Sequence, residues 1–157
     1  TRRSSDLYLE RYLGKTILVG CYHDEAHLNW ILGQNDKGTL IYNIRVGKER
    51  EGGQIKAQLD RMTVPFVVLY EYRCEHENKY RVFHVHHHAY IKEDRMRGTL
   101  YPREPKGNYF CYIFDEEVTL GNLDVHRLLS QKRIDDREYV DGAPIFMSGK
   151  DLIKYRR

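Results

Sequence analysis

The stretch Tyr80-Arg-Val-Phe-His-Val-His-His-His-Ala-Tyr-Ile91 decides how the rest of the chain is read. It is rich in β-branched and aromatic residues, and it alternates between two faces as a strand does. Phe83, Val85, His87, Ala89 and Ile91 share one face, nearly all apolar, which is expected to point into a core. Val82, His84, His86, His88 and Tyr90 share the other, a row of imidazoles ending in a phenol. A solvated strand face ordinarily carries Lys, Glu, Thr or Arg, so the histidine row marks either a site or a compositional accident.

Immediately upstream, Pro65 precedes an apolar run over residues 66–72, and His76-Glu77-Asn78 turns the chain back. These two strands are expected to form a hairpin. Residues 15–22 make an earlier strand, apolar on both faces and so buried on both. Asp24 follows as an expected N-cap, its carboxylate accepting from backbone N–H groups in the first turn of a helix over 25–32. Gly33 ends that helix. A turn at 35–38 leads into a strand over 39–46, a glycine-bearing charged loop over 47–53 and a short helix over 54–62.

Downstream, 92–98 is a charged turn or short helix. Residues 99–108 hold Pro102 and Pro105 and cannot be a central strand. A strand over 109–114, a helix over 123–131 capped by Asn122, and a turn with a short apolar run over 140–153 complete the chain. The first residues, 1–14, read as a short helix closing onto the domain. The connections are too short for a doubly wound parallel sheet, which needs a helix between most strands. The expected fold is α+β, a mixed or antiparallel sheet curled into a small barrel flanked by short helices.

A chain of 157 residues suits one domain with a core of its own. Its 13 tyrosines against 5 phenylalanines and 1 tryptophan favour half-wet surfaces, since tyrosine joins an apolar body to a polar tip. The net charge of +3 permits a polyanionic partner without requiring one. Cys21, Cys74 and Cys111 form no CxxC pair, which argues for a reducing, cytoplasmic setting over a disulfide framework. No apolar run nears the roughly 20 residues of a membrane span, and no signal peptide is visible. The chain begins at Thr1 and ends at Arg157, as expected of a module excised from a longer protein.

Catalytic patterns are sparse. Alternate residues on a strand face lie roughly 6–7 Å apart, so His84 with His86, or His86 with His88, has the spacing to share a metal ion. A further ligand, such as His23, His27 or a carboxylate, would have to come from elsewhere. A metal-dependent enzyme using this face is one reading; a polar groove wall is the other. Glu71, Asp115, Glu116 and Glu117 lack the spacing of a nuclease metal site, and Cys74 has no orienting group in view. The 47–53 loop matches neither phosphate-binding glycine pattern, and no cofactor is expected. Catalysis by this domain itself is not expected.

Aromatic and polar residues gather at strand ends. Tyr22, His23 and Asp24 end one strand, with Asn29 and Trp30 on the helix after it; Tyr42 and Asn43 lie on the next strand and Tyr70 near the end of the third. A base taken out of its stack needs aromatic walls and a few groups to read its edge. Cations lie nearby in sequence: Arg45, Lys48, Arg50, Arg95, Arg97, Arg103 and Lys106, to which the histidines at 84, 86 and 88 add a groove wall. Such cations supply affinity for phosphates without sequence readout. The same loops also carry acidic residues, as a neutral solvated loop would.

Three stretches resemble the PUA-like superfamily, in particular its EVE and YTH-type domains. They are residues 17–22 with the Trp30 helix, the Val67-Val68-Leu69-Tyr70 strand with residues 80–85, and the Met96…Tyr101-Pro102…Pro105…Tyr109-Phe110 segment. The resemblance implies a small barrel that holds a modified or flipped base, with Tyr22, Trp30 and Tyr42 as the aromatic cage. It also implies a reader module of a modification-dependent restriction system, fused to or working with a nuclease or NTPase domain. The leading expectation is therefore a module binding DNA, modified or not, or RNA. Trp30 is expected to act as a cage wall whose loss costs affinity and little stability. The alternatives are the metal-dependent enzyme and a protein-interaction domain.

Overall fold

The computed structural model describes residues 9–33, 40–47 as backbone, and 62–157. The elements are β1 (Thr16–Tyr22), α1 (Glu25–Gly33), β2 (Leu40–Gly47), β3 (Phe66–Glu71), β4 (Tyr80–Ile91), α2 (Glu93–Gly98), β5 (Asn108–Val118), α3 (Val125–Asp135), β6 (Ile145–Ser148) and α4 (Gly149–Leu152). The expected helix over 54–62 lies outside the described residues except at Met62. Two compact units divide the chain. One holds the described residues through His23, Val64–His84 and Glu116–Arg157; the other holds those from Asp24 to Thr63 and Val85–Asp115.

In the first unit the hydrogen-bonded order is β4-β3-β1-β6, and in the second it is β2-β5-β4. β1 runs parallel to β3, with Leu18 opposite Val67, and antiparallel to β6, with Thr16 opposite Ser148. β3 and β4 are the expected antiparallel hairpin, Val67 facing Phe83. The sheet is therefore mixed, and the class is α+β. β2 and β6 each have one strand neighbour, so among the described residues no ladder closes the expected barrel.

The first unit's core follows from the period of two along its strands. Ile17, Val19 and Cys21 of β1 and Phe66, Val68 and Tyr70 of β3 cluster with Val125, Leu128 and Leu129 of α3 and with Leu120, Leu123 and Leu152. Each such buried side chain contributes about 1.5–3 kcal/mol over an exposed one. Leu18, Val67 and Leu69, on the opposite face, are buried as well, as apolar character on both faces requires. Gly149 begins α4 where the backbone passes Tyr12 so closely that a Cβ would collide with the Tyr12 carbonyl. Ser148 caps α4 by accepting from the Asp151 N–H at 3.1 Å.

Several boundaries differ from the sequence reading. The helix expected over 123–131 starts later: Asp124, not Asn122, is its cap and accepts from the Arg127 N–H at 3.0 Å. Leu123 is held instead in a bridge to Arg156. β5 continues through the acidic run to Val118, because Arg81 on β4 grips Glu117 with two hydrogen bonds of 2.8 Å. The face expected to be apolar along β4 stays buried through Val85 and then opens: His87 is exposed, and Ala89 and Ile91 are half-buried. Val82, on the histidine face, is buried.

One backbone position stands out in the second unit. Leu100 has φ of 63°, in the left-handed region, and is 85% exposed. A residue with a Cβ adopts that conformation at a cost of roughly 1–2 kcal/mol.

Candidate nucleic-acid interface

In the second unit, the Asp24 carboxylate accepts from the His27 N–H at 2.9 Å and so caps α1. Arg103 reaches the other carboxylate oxygen at 3.3 Å. The His27 amide, against an opposing desolvation and with lesser help from the Arg103 guanidinium, holds the Asp24 carboxyl below the ordinary range. One turn on, Trp30 is buried, and its indole N–H donates to the Thr99 carbonyl at 2.9 Å. Tyr101 packs edge-on to Trp30 at 5.0 Å and to His27 at 5.8 Å, and lies 5.7 Å from Tyr109. His27 stacks beside Trp30 at 6.1 Å. The ring expected to be a cage wall is thus a packed ring with its one donor satisfied. Asn29, on the same helix, is exposed.

The other pocket residues fall in both units. Tyr22, His23 and Tyr70 belong to the first unit, whereas Asp24, Asn29, Trp30, Tyr42 and Asn43 belong to the second. Tyr70 is a core residue, 2% exposed, in the cluster that holds Cys21 and Val68. His23 is exposed and lies edge-on to Tyr72 at 5.9 Å. Tyr22 is half-buried; burial, and then the Glu71 carboxylate, raises its phenol above the ordinary value. Tyr42, Asn43 and Arg45 lie on β2, opposite Tyr112, Cys111 and Tyr109 of β5. Lys48 and Arg50 fall outside the described residues.

The histidine row is assembled by β4. His84, half-buried in the first unit, stands opposite Phe66. In the second unit His86 is exposed, with Nδ1 4.0 Å from the Asp115 carboxylate. His88 stacks on Phe110 at 5.5 Å and meets Tyr112 edge-on at 5.3 Å. Tyr112 in turn donates from its hydroxyl to the Met62 carbonyl at 2.7 Å, and burial drives its phenol pKa strongly upward. His88 therefore rests on an aromatic floor while His86 stands in solvent. Among the described residues no three His, Cys, Asp or Glu side chains are grouped to hold a metal ion.

The row's far end is tied to the next segment by a chain of polar contacts. The Asn108 side-chain amide donates to the Tyr90 hydroxyl at 2.8 Å, and its carbonyl accepts from the Glu93 N–H at 3.1 Å. The Glu93 carboxylate accepts from the Gly107 N–H at 3.3 Å. Lys106, one residue before, donates its own N–H to the Tyr109 hydroxyl at 3.2 Å. Arg95 on α2 and Lys106 are both exposed, and neither side chain has an acidic partner among the described residues. Arg97 is different: it is spent on Glu104 at 2.6 Å, Glu93 at 3.2 Å and Asp94 at 3.4 Å. Arg103 is spent on Asp24.

Of the expected groove, His86, His88, Arg95 and Lys106 belong to the second unit, and the sequence reading placed Tyr90 on the histidine face. Asn108, which joins Tyr90 to Glu93, went unsingled in the sequence because it closes the proline-bearing segment over 99–108. No family model, no curated protein and no solved structure matches the chain.

Proposed function

We infer that the chain is a nucleic-acid-binding module, with DNA as its ligand. The observation that carries this reading is the tie from Tyr90 through Asn108 and Glu93 to Gly107, which joins an imidazole–phenol row to a segment bearing two cations with no acidic partner among the described residues. Imidazole and phenol rings offer stacking surfaces and hydrogen-bond donors to bases, and Arg95 and Lys106 supply the phosphate contacts that dominate affinity. The PUA-like resemblance supports the same reading and extends it to a barrel-like domain that receives a modified or flipped base. In that extension the module works beside a nuclease or NTPase domain as the reader of a restriction system. The burial of Trp30 favours a base lying against the β4 row over one caged by Tyr22, Trp30 and Tyr42.

The test is a titration of labelled duplex and single-stranded DNA and of RNA, with unmodified and methylated bases, at low and high salt. Salt-dependent binding with a preference for DNA supports the reading. Failure to bind any of these polymers, or binding indifferent to salt, overturns it.

A further inference from the structure

We propose that Leu100 is a wedge that enters a base step of duplex DNA and unstacks it; this rests on the DNA-binding reading above. Leu100 is 85% exposed with φ of 63°, an apolar side chain in water on a backbone that glycine or asparagine would adopt more easily. Neither packing nor turn chemistry asks for leucine here.

The backbone around it is pinned on both sides. The Thr99 carbonyl accepts the Trp30 indole N–H at 2.9 Å, and the Thr99 hydroxyl donates to the Met96 carbonyl at 2.6 Å. The Leu100 N–H reaches the Arg97 carbonyl at 3.3 Å. Met96 is fully buried, and Tyr101 is packed against Trp30, His27 and Tyr109. Pro102 further restricts Tyr101 to extended conformations. The result is a hydrogen-bonded, packed corner with one exposed apolar side chain. Trp30 serves it as a positioning residue.

The surroundings select the partner. A protein-docking patch needs contiguous apolar area, and the exposed residues beside Leu100 in the chain are Arg97, Gly98, Pro102 and Arg103. Residues 92–106 carry five Lys or Arg against three Asp or Glu, and Arg95 and Lys106 have no acidic partner among the described residues. One apolar side chain among cations fits a stacked base step flanked by phosphates, where leucine is among the residues that act as wedges.

The experiment uses duplexes in which the fluorescent base 2-aminopurine is scanned through every position, since unstacking releases its quenching. Wild type is expected to raise the fluorescence several-fold at one step. Leu100→Ala is expected to bind about 5- to 30-fold more weakly, with the same salt slope and no fluorescence rise. Leu100→Asn, which suits the left-handed backbone, should behave likewise while keeping the folded circular-dichroism spectrum. Wild-type binding with a silent reporter at every position, or an equal rise with either variant, overturns the wedge and leaves the DNA-binding reading standing. Absence of wild-type binding overturns both.

Discussion

The indole N–H of Trp30 and the carbonyl of Thr99 meet at 2.9 Å, joining α1 to the residue just before the left-handed Leu100. The bond is made by a ring that is 8% exposed, so its loss leaves a cavity and removes that hydrogen bond. Trp30→Ala is expected to cost roughly 3–5 kcal/mol of stability, read by denaturant unfolding. This reverses the outcome expected from the sequence, which was lost affinity with stability kept. Trp30→Phe, which keeps most of the ring and drops the donor, should cost about 1–3 kcal/mol.

Leu100→Asn tests the strain at that corner. Removing a left-handed leucine should stabilise the fold by up to ~1–2 kcal/mol, visible as a rise in melting temperature. A fall would mean that the leucine side chain packs in solution.

Arg81 and Glu117 make the acid-sensitive pair. Their two 2.8 Å hydrogen bonds hold the Glu117 carboxyl below its ordinary value. A carboxyl depressed in the folded state stabilises fully above its unfolded pKa, about 4.3. That contribution fades as pH falls through the depressed folded value. Both side chains are more than a third exposed, so its size should stay within about 1 kcal/mol. Arg81→Met should flatten this part of the stability–pH curve below about pH 4, measured by urea melts across pH.

Gly149→Ala pushes a methyl group into the Tyr12 carbonyl. Overpacking of this kind costs about 1–3 kcal/mol. Thermal denaturation reads it, and Gly33→Ala, where a Cβ meets nothing, is the control expected to change little.

Lys106→Ala and Arg95→Ala should each weaken binding to every DNA sequence alike and lower the salt slope by about one. His86→Ala should weaken binding with the salt slope kept. Arg97→Ala should change binding less than Arg95→Ala, because its guanidinium is already committed to three carboxylates.

What the sequence made legible were features set by neighbours along the chain. The β4 strand itself, the two-faced burial of β1 and the Asp24 cap each depend on a few adjacent residues, and each stands in the structure. What escaped depended on distant partners. The 115–117 run is acidic enough to read as a strand end, yet Arg81 holds Glu117 within the extended β5. Trp30 looks like a surface ring at a helix end until Thr99 supplies its acceptor. Tyr70 has the composition of a pocket wall, but its alternation with Val68 and Phe66 puts it in the core. His87 shows the opposite error: the period assigns it to the apolar face, which beyond Val85 is open.

The pairing of β1 has a kinetic consequence. Thr16 faces Ser148, nearly the whole chain away, while the other side of the strand waits for β3. Contacts of such sequence separation form slowly, because long loops must close before any pairing is gained. During synthesis β1 emerges well before its outer partner β6. A chain stopped before Ile145 would leave a strand that is apolar on both faces with an unpaired edge, a template for association with other copies.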